Sequence, residues 1–114
     1  MAHYALWLDH QYAYIYKFTP TTVEEKTLKS HGHDDATKFY HTVAQSVKDA
    51  DELMIMGPGV AKDEFKHHCE LGHHGQLAKA IKGVRPMAGH PTKAMMINEA
   101  KDFFKHLHMW TANY

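Results

Sequence analysis

Twelve histidines among 114 residues are the richest source of chemistry in this chain. Imidazole titrates near ~6.5 and, when neutral, ligates zinc or nickel. Two groups stand out. The first is His31 and His33, with Asp34, Asp35 and His41 close behind. A His-x-His pair chelates from a loop, so His31 and His33 are the candidate metal ligands, with zinc or nickel as the cofactor in that case. The competing reading is a solvated polar loop, because no four-ligand spacing completes the set. The second group is His67, His68, Cys69, His73 and His74. Four-residue spacing would put Cys69 and His73 on one helix face, but Gly72 breaks the helix between them. Cys69 itself reads as a buried small hydrophobe rather than a nucleophile, since no partner histidine can be assigned to it.

A different chemistry is suggested by Gly57-Pro58-Gly59 with Lys62. Leu53 to Met56 is an apolar run as short as a buried strand, and Val60 onward reads as a helix. Strand, glycine turn and helix start together present backbone N–H groups at the carboxyl end of a sheet, a place suited to anions. Gly57, Gly59 and Lys62 are therefore anion- or RNA-binding candidates. The motif is far from a Walker loop, so nucleotide hydrolysis is not indicated. His90-Pro91-Thr92 opens a later helix after a strand, which places His90 and Thr92 at the same sheet edge. Asp9 ends a strand, as the first carboxylate of a two-metal nuclease would, but Leu53 to Met56 ends without a carboxylate partner. Asp9 reads instead as the residue fixing a turn. Trp7, Tyr12, Tyr14 and Tyr16 would stack bases if exposed, and at strand spacing they read as core or cross-strand pairs.

These residues need elements to hold them. His3 to Asp9 and Tyr12 to Phe18 read as strands, the second by its period-two aromatics. Thr22 to Lys29 is a weaker third strand, and the three form an antiparallel meander. Phe39, Val43 and Val47 mark an amphipathic helix capped by Asp34 or Asp35 and ending near Asp49. Leu53 to Met56 follows, then a helix over about 60–71, and a short helix within 74–82. Val84 to Met87 reads as a strand, and the last helix runs over 92–108. Residues 111–114 read as a frayed tail. The order βββαβαβα predicts one α/β (α+β) domain over 1–114, a mixed five-stranded sheet of ribonuclease H-like order with helices packed on it.

Composition narrows the function classes. Hydrophobic content of 44% and charged content of 23% are those of a folded globular domain. No apolar run reaches the ~18 residues of a membrane span. The start, Met1-Ala2-His3-Tyr4, lacks the pattern of a signal peptide, and one cysteine fits a reducing compartment, so a cytoplasmic location is expected. Net charge is zero, whereas a generic nucleic-acid binder carries a basic excess.

Several separated motifs share a family resemblance. Leu-Trp-Leu-Asp-His-Gln-Tyr-Ala-Tyr-Ile-Tyr, residues 6–16, resembles the first hairpin of the middle domain of eukaryotic and archaeal peptide-chain release factors and of Pelota. Leu53 to Phe65 resembles that domain's later strand, glycine turn and helix. The likeness extends over about 4–104. It is greatest to small stand-alone bacterial proteins labelled translational machinery proteins, which share the Trp-Leu-Asp-His start, Gly-Pro-Gly-x-Ala-Lys and a late His-Pro-Thr. Release factors carry a catalytic Gly-Gly-Gln loop between the third strand and the first helix. Here that position holds Ser30-His31-Gly32-His33-Asp34-Asp35, with no glutamine, and Gly75-Gln76 falls elsewhere. The resemblance thus implies a non-catalytic binding module whose partner is the ribosome or tRNA. Two alternatives stand beside it: a hydrolase of an RNA ester or peptidyl-tRNA with His31 or His33 as general base, and a histidine-based metal-binding domain.

Overall fold

The structure is a computed structural model, and it describes residues 2–31, 36–72 and 74–108. Nine elements follow one another: β1 (His3–Leu8), β2 (Tyr12–Phe18), β3 (Val23–Lys29), α1 (Ala36–Ser46), β4 (Glu52–Gly57), α2 (Ala61–Glu70), α3 (Gly75–Ala80), β5 (Ile81–Pro86) and α4 (Lys93–Leu107). The five strands form one sheet in the order β3-β2-β1-β4-β5. β1 pairs antiparallel with β2, and β2 with β3; β4 lies parallel to both β1 and β5. This is the mixed sheet and ribonuclease H-like order expected from the sequence.

The strands at the centre are those with the most continuous apolar runs. All six residues of β1 and all six of β4 are buried, as strands covered on both faces must be. One face carries Leu6, Leu8, Ile15, Leu53 and Ile55, which pack with Phe39, Val43, Phe65 and Leu77 of α1, α2 and α3. The other carries Trp7, Phe18, Met54 and Met56, covered by Met96, Ala100, Phe103 and Phe104 of α4. The period-two alternation of each strand thus sorts its side chains into two cores. β3 is one of the two edges, and its Glu24, Glu25, Lys26 and Thr27 are exposed; charged residues of this kind discourage pairing with another chain.

Asp9 sets the first hairpin. Its Oδ1 accepts from the backbone N–H groups of Gln11 (2.8 Å) and Tyr12 (2.7 Å), while its own N–H donates to the Tyr12 carbonyl at 3.0 Å. The aromatic residues of β1 and β2 serve the core: Trp7 and Tyr16 are buried, and Tyr12 and Tyr14 pack half-buried beside them.

The region after α2 differs in detail from expectation. The strand expected at Val84 begins at Ile81, directly after α3. Ile81 adopts an extended conformation (φ −69°, ψ 113°) and pairs with Leu53. Pairing to a central strand here outweighs the weak helical pattern of Gly75 to Lys82. The expected cap of α1 by Asp34 or Asp35, and the tail 111–114, lie outside the described residues.

Candidate functional site

The carboxyl ends of β4 and β5 lie side by side, with Gly57 opposite Pro86. Gly57 is required there by packing: a Cβ would run into the carbonyl oxygen of Leu8. Its own carbonyl accepts from the Met87 N–H at 3.0 Å, tying the two strand ends together. Gly59 is exposed, and a Cβ there would meet nothing. α2 starts without a side-chain cap; the Val60 carbonyl accepts from Asp63 (3.0 Å) and Glu64 (2.9 Å). Lys62 folds back on the turn, its ammonium donating to the Gly59 carbonyl and lying 3.6 Å from Asp63 Oδ2. Only 13% of its side chain is exposed. An anion at this turn would therefore draw Lys62 away from Gly59.

The chain leaves β5 at this same end. His90 is exposed, and Thr92 caps α4, its Oγ1 accepting from the Met95 N–H at 3.1 Å. The Gly57–Gly59 turn, Lys62, His90 and Thr92 thus follow the carboxyl ends of adjacent strands, with Thr92 engaged in capping. A hydrogen-bonded group braces the neighbouring hairpin: Glu64 accepts from Tyr40 Oη at 2.8 Å and lies 3.1 Å from His10 Nε2. The Tyr40 hydroxyl first, and His10 second, hold the Glu64 carboxyl below its ordinary range.

The histidines are distributed quite differently. An open pocket of about 640 Å³ lies between the end of β3, α1 and the corner joining α2 to α3. His31 lines it, as do His41 of α1, His68 of α2 and His74 just before α3. His41, His68 and His74 each bring one ring nitrogen to within 4.8 Å of the other two. His41 Nδ1 and His74 Nε2 are 3.3 Å apart. The His68 and His74 rings lie 5.3 Å centre to centre. This trio takes one member from the first sequence group and two from the second, so neither group alone revealed it. Of the expected pair, His31 stands exposed at the pocket and His33 lies outside the described residues, as does His73.

A second cluster, which the sequence reading passed over, closes the opposite end of the sheet. His3 and Glu52 start β1 and β4 and are register partners. His3 Nε2 is 2.9 Å from Glu52 Oε1, and His108 Nε2, just beyond α4, hydrogen-bonds the same oxygen. His3 and Glu52 are buried. Among the described residues these are the two groups able to converge on a metal ion, and neither includes Asp9. Cys69 is buried in the core, and burial pushes its thiol up to about 12, too high for a thiolate nucleophile near neutrality.

The fold and its strand order define a ribonuclease H-like α/β domain, and comparison with solved structures narrows this. The crystal structure of Archaeoglobus fulgidus Pelota is similar over 89% of this chain and 31% of that one, with 20% identity and a TM-score of 0.66. The archaeal translation termination factor aRF1 is similar over 95% of this chain and 41% of that one, at 18% identity and a TM-score of 0.58. A model of ribosome-bound archaeal Pelota and ABCE1 gives 13% identity and a TM-score of 0.66, over 91% of this chain and 34% of the other. No protein-family model matches the sequence, and no curated protein matches it. The chain thus has a fold found in Pelota and aRF1, consistent with resemblance to their middle domain, and it spans about a third of the length of the Pelota chains. At these identities the likeness establishes the fold.

Proposed function

We propose that this chain is a cytoplasmic, non-catalytic module that associates with the ribosome or with tRNA. The observation that carries the reading is the similarity of its fold, over most of this chain, to part of Pelota and of aRF1, one of the matched structures being a model of ribosome-bound Pelota. The sequence has no Gly-Gly-Gln, which argues for contact rather than peptide release. The surface assigned to RNA is the end of the sheet bearing Gly57, Gly59, Lys62, His90 and Thr92. Lys62 has a short reach to a phosphate, by exchanging the Gly59 carbonyl for a phosphate oxygen. Thr92 acts by holding the start of α4, and His90, exposed beside it, is the contacting side chain. With a net charge of zero the association is modest and strongly dependent on salt.

Sedimentation of lysate at low salt tests this. The chain is expected in the ribosomal fraction, leaving it as salt rises, and Lys62→Ala and His90→Ala are each expected to shift release to lower salt. A chain that stays in the supernatant even at the lowest salt overturns the proposal.

A further inference from the structure

We propose that His41, His68 and His74 form a binding site for a zinc-class divalent cation, with the fourth coordination position open to the adjoining pocket. This site is separate from the surface assigned to RNA and does not rest on it. The first support is convergence. The three imidazoles come from three places in the chain, the middle of α1, the last turns of α2 and the residue before α3, yet their ligand atoms lie mutually within 4.8 Å. α2 ends where the Leu71 N–H donates to His67 O at 3.0 Å, and His74 O then accepts from Ala78 N at 2.8 Å as α3 begins. That corner carries His74 back toward His68 and across to His41.

The second support is distance. Zinc binds imidazole nitrogen at ~2.0–2.1 Å, so two ligands of a tetrahedral site stand roughly 3.3–3.4 Å apart. His41 Nδ1 and His74 Nε2 already stand 3.3 Å apart. His68 brings a ring nitrogen to within 4.8 Å of both, and all three side chains line the same open pocket. The third support is donor type. Three imidazoles with no carboxylate among them suit zinc, nickel or copper and exclude the oxygen-seeking magnesium and calcium. Among the described residues three protein ligands converge beside the pocket, and three ligands with an open fourth position is the arrangement of an open zinc site. His31 lines the same pocket and is not one of the three converging ligands. The inferred ligand set thus differs from His31 and His33, the pair that loop spacing alone suggests.

The test is calorimetric titration of the whole chain with zinc chloride, paired with visible absorption on adding cobalt(II). The expected result is one tight equivalent per chain and the intense visible bands of tetrahedral cobalt. His41→Ala, a change at an exposed position, is expected to weaken binding by at least the ~10–100-fold seen on losing a residue that merely supports a ligand. His74→Ala is expected to do the same, and His67→Ala and His106→Ala, exposed on other faces, to change nothing. Circular dichroism of His41→Ala and His74→Ala separates loss of a ligand from loss of fold. If His74→Ala fails to fold, His41→Ala decides. Several weak equivalents, or one tight equivalent that survives His41→Ala, would overturn the site. Ribosome sedimentation of His41→Ala reports separately on the RNA surface, which this variant leaves intact.

Discussion

The two histidine clusters use the same side chain for opposite purposes. At the amino end of β1 and β4, two imidazoles converge on one carboxylate, and His3 and Glu52 are buried. Every strong partner there is supplied by the protein itself, so the cluster acts as a strap: it fastens the end of α4 to two central strands. At the α1–α2–α3 corner, three imidazoles converge with no carboxylate among them, beside an open pocket. Three imidazoles beside an open pocket suit a zinc-class cation, whereas a set already closed on a buried carboxylate serves to brace the fold. A count of histidines cannot separate these cases; the nature of the third group in each cluster does.

The sharpest break in this comparison is Glu52→Ala. Removing the carboxylate takes away the hydrogen-bond partner shared by His3 and His108 in a buried setting, and the stability measured by urea unfolding should fall by about 2–3 kcal/mol. His108→Ala touches the same strap from its more exposed side, with 28% of the His108 side chain accessible, and should cost about 1–2 kcal/mol. A loss of less than that would mean α4 is held by its apolar face, Met96, Ala100, Phe103 and Phe104, and not by the strap.

The same end of the sheet offers a smaller, pH-dependent test. Asp49 accepts from Tyr4 Oη at 2.7 Å and pairs with Lys17 at 3.2 Å. The Tyr4 hydroxyl first, and Lys17 with it, hold the Asp49 carboxyl below its ordinary range. Burial and the carboxylate push the Tyr4 hydroxyl up to about 12. A lowered folded value means that the contribution is fully present above the unfolded value near ~3.9 and is lost as pH falls through the folded one. Asp49 is 55% exposed, so screening keeps the effect below about 1 kcal/mol. Asp49→Asn should therefore destabilise slightly at neutral pH and make no difference in strong acid, as unfolding curves at the two pH values will show.

The smallest effect is expected at the open cluster. His41→Ala without metal should change stability by no more than about 0.5 kcal/mol, since His41 is exposed. Added zinc should raise the melting temperature of the parent chain and leave that of the variant unchanged, because a ligand stabilises only the state that binds it. A large metal-free loss in His41→Ala would make the trio structural and erase the distinction between the clusters.

Patterns confined to a short stretch were legible in the sequence. The alternation of Tyr12 to Phe18, the turn at Asp9 and the run Leu53 to Met56 ending in Gly57 each declare themselves within a few residues, and together they order the sheet. The start of β5 was not legible, because Ile81 is recruited by Leu53, a residue far away in sequence. The clusters were hidden for the same reason. Grouping histidines by proximity in sequence put His41 with His31, and His68 with Cys69. The fold instead sends Cys69 into the core, while His41 and His68 meet across α1 and α2. His3, Glu52 and His108 become neighbours only once β1 and β4 are placed in parallel register and α4 runs back along the sheet. The edge carrying Gly57, Lys62 and His90 was legible as a location, since carboxyl ends of parallel strands are read from element order alone. The hold of the Gly59 carbonyl on Lys62 required the structure.

The most direct test of the central reading uses purified chain and purified ribosomes, pelleted together across a salt series. The parent is compared with the Lys62→Ala, His90→Ala double variant. A ribosome-associated module working through the Gly57 edge predicts pelleting of the parent at low salt, release as salt rises, and little pelleting of the double variant at any salt. Equal pelleting of the two proteins would contradict the assignment of that edge. No pelleting of the parent at any salt would contradict ribosome association itself.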